Sequence, residues 1–247
     1  MSTGDIEILV KNFNKMKNSS FSCFELNKYS NIILEETMKI YTKGSKTFYK
    51  LHNQMNSHEY EKWAFFNTVF IEKSNVKLLD CAFGTGRDLI YASSCGYDTY
   101  GCELNSKLYM DFVDLYSPDL NKIVNADMRN LPFQDEFFDI IRHNASFLHM
   151  PLLDNKYTIH KCIEESWRVL KPEGYLYLLT KKGEGYVCLD TGDGMGNRPF
   201  QLLNETTIKN ILESYKFTII NIKQFSRIRK NKSIEWIEII AQKNANT

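Results

Sequence analysis

Residues 78–88 read LLDCAFGTGRD, an apolar run that enters a glycine-rich turn and then a helix start. Within it Asp80, Ala82, Gly84 and Gly86 stand at alternate positions. Glycines in such a turn let backbone N–H groups come close to a ligand. Seventeen residues past Gly86, Glu103 closes a second strand-like run, YGCE, with Leu104 behind it. A carboxylate at the tip of the next strand can accept hydrogen bonds from both hydroxyls of a ribose. The pair points to an adenosine-containing cofactor lying across the tips of two parallel strands.

The third strand-like run ends in Asn125-Ala126-Asp127-Met128. Asp127 can accept from the exocyclic amine of an adenine and Met128 can pack on its ring face. A dinucleotide fold would place a third glycine at position 89, which is Leu. The acid Asp80 would repel a pyrophosphate but suits a cofactor that carries a cationic amino acid. Asp88, in the first turn of the following helix, is read as favouring the positive helix end.

With these residues the chain resembles the class I S-adenosylmethionine-dependent methyltransferases, whose first motif reads D/E-x-G/A-x-G-x-G. Two further stretches carry the resemblance: LPFQDEFFDIIRH, from Leu131 to His143, and RVLKPEG, from Arg168 to Gly174. It implies S-adenosylmethionine as cofactor and S-adenosylhomocysteine as product. The expected cofactor-binding residues are Asp80, Ala82, Gly84, Gly86, Glu103, Leu104, Asp127, Met128 and Asn144, with Tyr49 as the tyrosine that many family members place over the methionine end. No metal is expected. Asn144–Pro151, Lys181–Tyr186 and Arg198–Phe200 look like a group of small bacterial methyltransferases with L-H-V-P, K-x-G-E-G-E and R-F-F patterns. The chain departs from that group at Tyr186, where a second acid is usual.

Methyl transfer needs a lone pair aligned with an activated methyl group, and a base only when the acceptor keeps its proton at neutral pH. His149, just past the fourth strand, is the favoured candidate base, with Glu184 on the next loop as the alternative. An unperturbed imidazole would make the rate fall at acid pH near about 6.5. His143 reads as part of the strand and its packing. The D/N-P-P-Y/F signature of DNA and glutamine N-methyltransferases is absent after strand four, where HNAS stands. The expected acceptor is a small molecule or small peptide, taken at an O or N atom. The alternatives are an NAD-dependent oxidoreductase and a non-catalytic cofactor-binding protein of the same fold.

These residues need a scaffold. The pattern of short apolar runs and helices from residue 76 onward predicts an α/β fold. Strands are predicted near 76–81, 98–103, 121–125, 138–143, 174–180, 216–224 and 233–242, and helices near 86–95, 105–116, 156–169 and 205–214. The resemblance makes this a doubly wound seven-stranded sheet, mostly parallel with an antiparallel last strand. Only the last two strands are expected to follow one another without a helix, joined by a solvated basic tip at 225–232. Residues 1–70 are read as an N-terminal arm and helical cap, with 1–30 weakly ordered or a short helix, and 71–247 as the core of a single domain. Residues 1–70 and the loop 183–200 should shape the acceptor pocket. A net charge of +1 argues against a dedicated nucleic-acid binder. Six cysteines without a C-x-x-C pair suit buried thiols in a reducing cytoplasm, and no apolar run reaches membrane-spanning length. The pattern leaves the oligomeric state open.

Overall fold

The computed structural model describes residues 3–153, 158–229 and 231–245. Five helices come first: α1 (Thr3–Lys17), α2 (Cys23–Lys43), α3 (Ser45–His52), α4 (Ser57–Glu61) and α5 (Ala64–Val69). Then follow β1 (Lys77–Cys81), α6 (Arg87–Ser94), β2 (Asp98–Cys102), α7 (Ser106–Tyr116), β3 (Ile123–Val124) and β4 (Phe138–Asn144). A short 3-10 turn, Phe147–His149, leads to α8 (Ile159–Val169) and β5 (Leu170–Lys181). The chain ends in β6 (Gly185–Asp190), β7 (Asn197–Leu202), α9 (Glu205–Ser214), β8 (Phe217–Arg229) and β9 (Lys232–Lys243).

Seven strands form one sheet in the order β3-β2-β1-β4-β5-β9-β8. β9 pairs antiparallel with both β5 and β8, and the pairings among the other strands are parallel. The strand order reverses between β1 and β4, so the crevice for a ligand opens at their carboxyl ends. Central parallel strands are covered on both faces and read as near-continuous apolar runs. Leu78, Leu79, Cys81, Ile140 and Ile141 accordingly have no exposed surface. One face of the sheet packs Leu79, Ile141 and Leu176 with Ile163 of α8 and Leu212 of α9. The other packs Leu78, Ile140 and Tyr177 against Trp63 and Phe66 of the cap.

Side-chain caps set the helix starts. Ser22 and Glu25 form a reciprocal capping box at α2, and Asn105 accepts from the amides of Lys107 and Leu108 at α7. α6 instead begins at Gly86, with φ +75°.

Three expectations are narrowed or corrected. Of the two readings of the N-terminal stretch, a weakly ordered arm or a short helix, the described residues follow the helical one, and α1 is longer than a short helix at fifteen residues. Its Ile6, Val10 and Phe13 are spaced along one helical face and buried; Phe13 meets Tyr186 edge to face at 5.6 Å between ring centroids. Its stability rests on that packing, because the sequence around these residues is rich in Asn and Lys. The loop 183–200 contains an antiparallel hairpin, β6 with β7, so the last two strands are not alone in lacking an intervening helix. The predicted tip at 225–232 is mostly strand, since β8 runs to Arg229 and β9 starts at Lys232. The first residues of the helix predicted at 156–169 lie outside the described residues.

Phe13→Ala should destabilise the protein by about 3–5 kcal/mol through the cavity it leaves. Phe24, which is 68% exposed, should change stability by less than about 0.5 kcal/mol when replaced by Ala. Urea denaturation of both variants checks this, and equal midpoints would mean that α1 does not pack on the hairpin.

Candidate active site

The turn after β1 is pinned to the tip of β2. The amides of Ala82 and Phe83 donate to the Cys102 carbonyl at 2.7 and 3.3 Å. Glu103 holds the turn from its other side: Oε2 accepts from the Gly84 amide at 2.9 Å and Oε1 from the Asn105 amide at 2.7 Å. Only 4% of Glu103 is exposed. Burial pushes its carboxyl pKa up, against the opposing pull of the Asn105 and Gly84 amides. Each carboxylate oxygen keeps a further acceptor direction.

Two glycines are required here for different reasons. Gly84 has φ +60°, and a Cβ on it would lie 3.0 Å from the Phe48 ring. Gly86 has φ +75°, and a Cβ on it would lie 1.9 Å from Phe112 of α7. Gly86 therefore shapes the turn from behind, while Gly84 faces the cavity. Ala82, between β1 and this turn, also takes a positive φ of 56°.

A cavity of about 220 Å³ opens over the strand tips; Asp80, Ala82, Gly84, Glu103, Leu104, Met128, Asn144 and His149 all line it. A smaller recess beside it is bounded by Ala82, Leu104, Asp127, Met128 and Met150. Asp127 is held by Arg129, whose Nη2 lies 2.6 Å from Oδ2; Arg129 in turn reaches Asn31 of α2 at 2.7 Å. Tyr49 is not in the cavity wall. Its hydroxyl donates to the Leu108 carbonyl at 3.4 Å, and Tyr41 and Phe48 line the cavity instead. Gly44 breaks the helix between the two tyrosines, so they do not share a face.

Asp88 does more than favour a helix end. Trp63 Nε1 donates to its Oδ1 at 3.2 Å, and Asn144 Nδ2 and Arg87 Nη2 donate to its Oδ2 at 2.8 and 2.9 Å. Arg142 lies 3.5 Å away, with its guanidinium 3.9 Å from the Trp63 ring and 4.2 Å from the Tyr177 ring. Burial pushes the Asp88 carboxyl up, but Arg142, Arg87 and Lys62 outweigh it and hold the group below the usual carboxylate range. Asp80, its neighbour on β1, is pushed up by burial and by the Asp88 charge. Lys62 bonds Glu59 at 2.5 Å and Asn144 at 3.2 Å; burial pulls its pKa down to about 8.

The opposite end is built by β5, the β6–β7 hairpin and the β8–β9 hairpin. His149 Nδ1 lies 2.8 Å from the Pro199 carbonyl and Nε2 lies 2.8 Å from the Tyr41 hydroxyl. A carbonyl only accepts, so Nδ1 carries the proton and Nε2 accepts from Tyr41. Arg198 donates to the Tyr41 oxygen at 3.1 Å and to Asp193 at 2.5 Å. Burial, reinforced by the Arg198 charge, lowers the His149 pKa to about 3. Glu184 is exposed, bonded to Asn204 at 3.0 Å, and does not line the cavity. Tyr186, where the resembled group usually has an acid, is buried and donates to the His149 carbonyl at 2.8 Å. His143 is a packing residue bonded to Ser146 and Ser166 at 3.1 and 2.8 Å.

Other residues line the cavity without having been expected there from the sequence, among them Tyr41, Phe48, Lys62 and Arg227.

Comparison with known proteins agrees with this geometry. No curated protein matches the chain. Among solved structures, a SAM-dependent methyltransferase from Methanosarcina mazei is similar at 20% identity and TM-score 0.63, covering 74% of this chain and 98% of that one. A 1,6-didemethyltoxoflavin-N1-methyltransferase from Burkholderia thailandensis is similar at 14% identity and TM-score 0.65, covering 92% of each chain. The [4+2]-cyclase SpnF is similar at 16% identity and TM-score 0.56, covering 74% and 80%. At these identities the likeness is one of fold: a Rossmann-like methyltransferase sheet. Residues 79–178, which run from β1 into β5 and carry the glycine turn, Glu103 and His149, match the family model described as a methyltransferase domain.

Proposed function

We propose that the chain is an S-adenosylmethionine-dependent methyltransferase that moves a methyl group to an oxygen or nitrogen atom of a small molecule or small peptide. The observation that carries this reading is the buried Glu103 carboxylate, anchored to the glycine turn at the switch point of the sheet. The methyltransferase-domain match over residues 79–178 supports it. So does the Burkholderia thailandensis neighbour, an N1-methyltransferase whose structure holds its small acceptor and S-adenosylhomocysteine.

The residues present fit that cofactor. Glu103 would hold the ribose hydroxyls, and the recess at Ala82, Leu104 and Met128 would take the adenine, with Asp127 at its edge. Gly84 leaves the wall free of a side chain. Asp80 and Asn144 would face the amino-acid end. When bound, the cofactor supplies a methyl group on a sulfonium, already activated for displacement by a lone pair. The chain's task is then to align the acceptor and exclude water. Tyr41, His149 and Arg198 form a hydrogen-bonded row on the acceptor side. A proton leaving the acceptor passes to the Tyr41 oxygen and through it to His149 Nε2; an acceptor with a free lone pair uses the row for orientation only.

Calorimetry should show S-adenosylhomocysteine binding with a Kd on the order of micromolar and no binding of NAD. Tight NAD binding without a response to S-adenosylhomocysteine would sink the assignment. Glu103→Ala should weaken binding of S-adenosylhomocysteine by about 1.5–3 kcal/mol per lost hydrogen bond to the carboxylate, roughly tenfold or more in Kd. Circular dichroism should show the fold retained, and unchanged affinity in that folded variant refutes the role.

His149→Ala should lower the methylation rate about 10²–10⁴-fold if the ring takes the proton, with cofactor affinity unchanged. Burial keeps the ring neutral above about pH 3, so the neutral, proton-accepting form persists down to there. The rate should therefore stay flat between pH 5 and pH 8 on this group's account, and not fall near 6.5 as an exposed imidazole would dictate. A limb near 6.5 that disappears in His149→Ala would show that the ring is open to solvent during turnover.

A further inference from the structure

The acceptor end of the cavity differs in charge from the cofactor end. Lys181, Arg198 and Arg227 line it from three separate strands. Lys181 is 5% exposed, and its ammonium lies 4.3 Å from the Phe200 ring centroid and 3.9 Å from that of Trp236. Lys181 and Trp236 are direct cross-strand partners on β5 and β9, which fixes the cation over the indole. Arg227 continues the row: its guanidinium lies 5.7 Å from the Trp236 ring.

Two carboxylates face the two arginines. Asp193 is bound by Arg198 at 2.5 Å. Glu59 Oε1 lies 3.4 Å from Arg227, while its Oε2 serves Lys62 at 2.5 Å and Arg87 at 2.9 Å. Buried polar atoms without a hydrogen-bond partner at this end are all donors: Arg198 Nε, Arg227 Nε and Nη2, and Trp236 Nε1. Arg198 is 2% exposed, and buried donors without acceptors are costly. An oxyanion is the group that satisfies them. The walls between the cations are aromatic, supplied by Tyr41, Phe200 and Trp236, and such walls suit a flat ring.

We infer that the methyl acceptor is a small aromatic or heteroaromatic acid, whose carboxylate is held among Lys181, Arg198 and Arg227 while its ring lies against Phe200 and Trp236. The inference rests on the methyltransferase reading above and names the substrate class of that same site. The carboxylate is the handle by which the acceptor is oriented, and the Tyr41–His149 row stands on the same side of the cavity to meet the reacting atom. A neutral acceptor of the same shape leaves the donors unpaired, so charge sets selectivity here.

The test uses the full chain saturated with S-adenosylhomocysteine. Benzoate, 2-naphthoate and quinoline-2-carboxylate are each titrated beside the matching primary amide, with binding followed by ligand-observed NMR and calorimetry. At least one carboxylate should bind about tenfold or more tightly than its amide, as expected for a charge-assisted hydrogen bond. Lys181→Met and Arg227→Met should each bring that ratio close to one while S-adenosylhomocysteine affinity stays within about twofold. Amides that bind as well as the acids, or three carboxylates that all fail to bind, overturn the inference. So does a ratio that survives both substitutions. Should either variant misfold, its melting curve and lost cofactor binding reveal it, and the wild-type ratio with its decline in high salt decides. Failure to bind S-adenosylhomocysteine at all would instead strike the methyltransferase reading, so the two failures are distinguishable.

Discussion

A buried charge at Asp88 ties the two halves of this molecule together. The carboxylate sits in the first turn of α6, directly behind the glycine turn, and only 6% of Asp88 is exposed. An isolated charge there would be prohibitive. It is met instead by groups from every neighbouring element: Trp63 from the cap, Arg87 from its own helix, and Asn144 and Arg142 from β4. Arg142 is itself compensated, flanked by the faces of Trp63 and Tyr177 in an arrangement of the kind that stabilises desolvated cations by about 2 kcal/mol. The cap is therefore joined to the sheet by charge pairing as well as by apolar burial. Loss of one partner from such a cluster leaves another charge uncovered. This dependence places Lys62, Glu59 and Arg87 at the cavity wall, next to Asn144.

The opposite end of the cavity is organised differently, by packing around a hairpin. α1 buries Phe13 against Tyr186 of β6, and Tyr186 carries its hydroxyl to the His149 carbonyl. β7 supplies the Pro199 carbonyl that sets the His149 tautomer, and the Arg198 that bonds Tyr41. The segment nearest the N-terminus thus supports the ring at the mouth of the fourth strand through two intermediaries. The aromatic at 186, in place of an acid, makes this possible: a carboxylate could not fill the space against Phe13.

The sheet and the glycine turn were legible in the sequence because their signals are local. Residues 76–81, 98–103 and 138–143 form short apolar runs, and each ends within a residue or two of a strand in the structure. The glycines and the acid at 103 announce themselves by spacing alone. Asp88 was misread as a dipole effect because its partners lie 25, 54 and 56 positions away in the chain, beyond the reach of any periodicity. α1 and the β6–β7 hairpin escaped for a related reason: the face of Ile6, Val10 and Phe13 lies in a segment otherwise rich in Asn and Lys, and the hairpin is rich in glycine, so the packing of each on the other decides both. Arg227 was read as part of a solvated tip. The sequence pattern holds nothing to say that β8 and β9 extend far enough to bring it over the cavity.

These two modes of construction leave the cavity polarised. The wall at the tips of β1 and β2 carries Asp80, Asp88 and Glu103, with the cations Lys62 and Arg87 beside them. The opposite wall carries Lys181, Arg198 and Arg227, with Asp193 bound to Arg198 and Glu59 reaching Arg227. His149 and Tyr41 stand between, and burial lowers the basicity of the imidazole while raising the phenol pKa. Both are thereby held neutral, so neither adds charge to either wall. Their hydrogen bonds, to each other, to Arg198 and to the Pro199 carbonyl, fix the direction of both groups between the two walls.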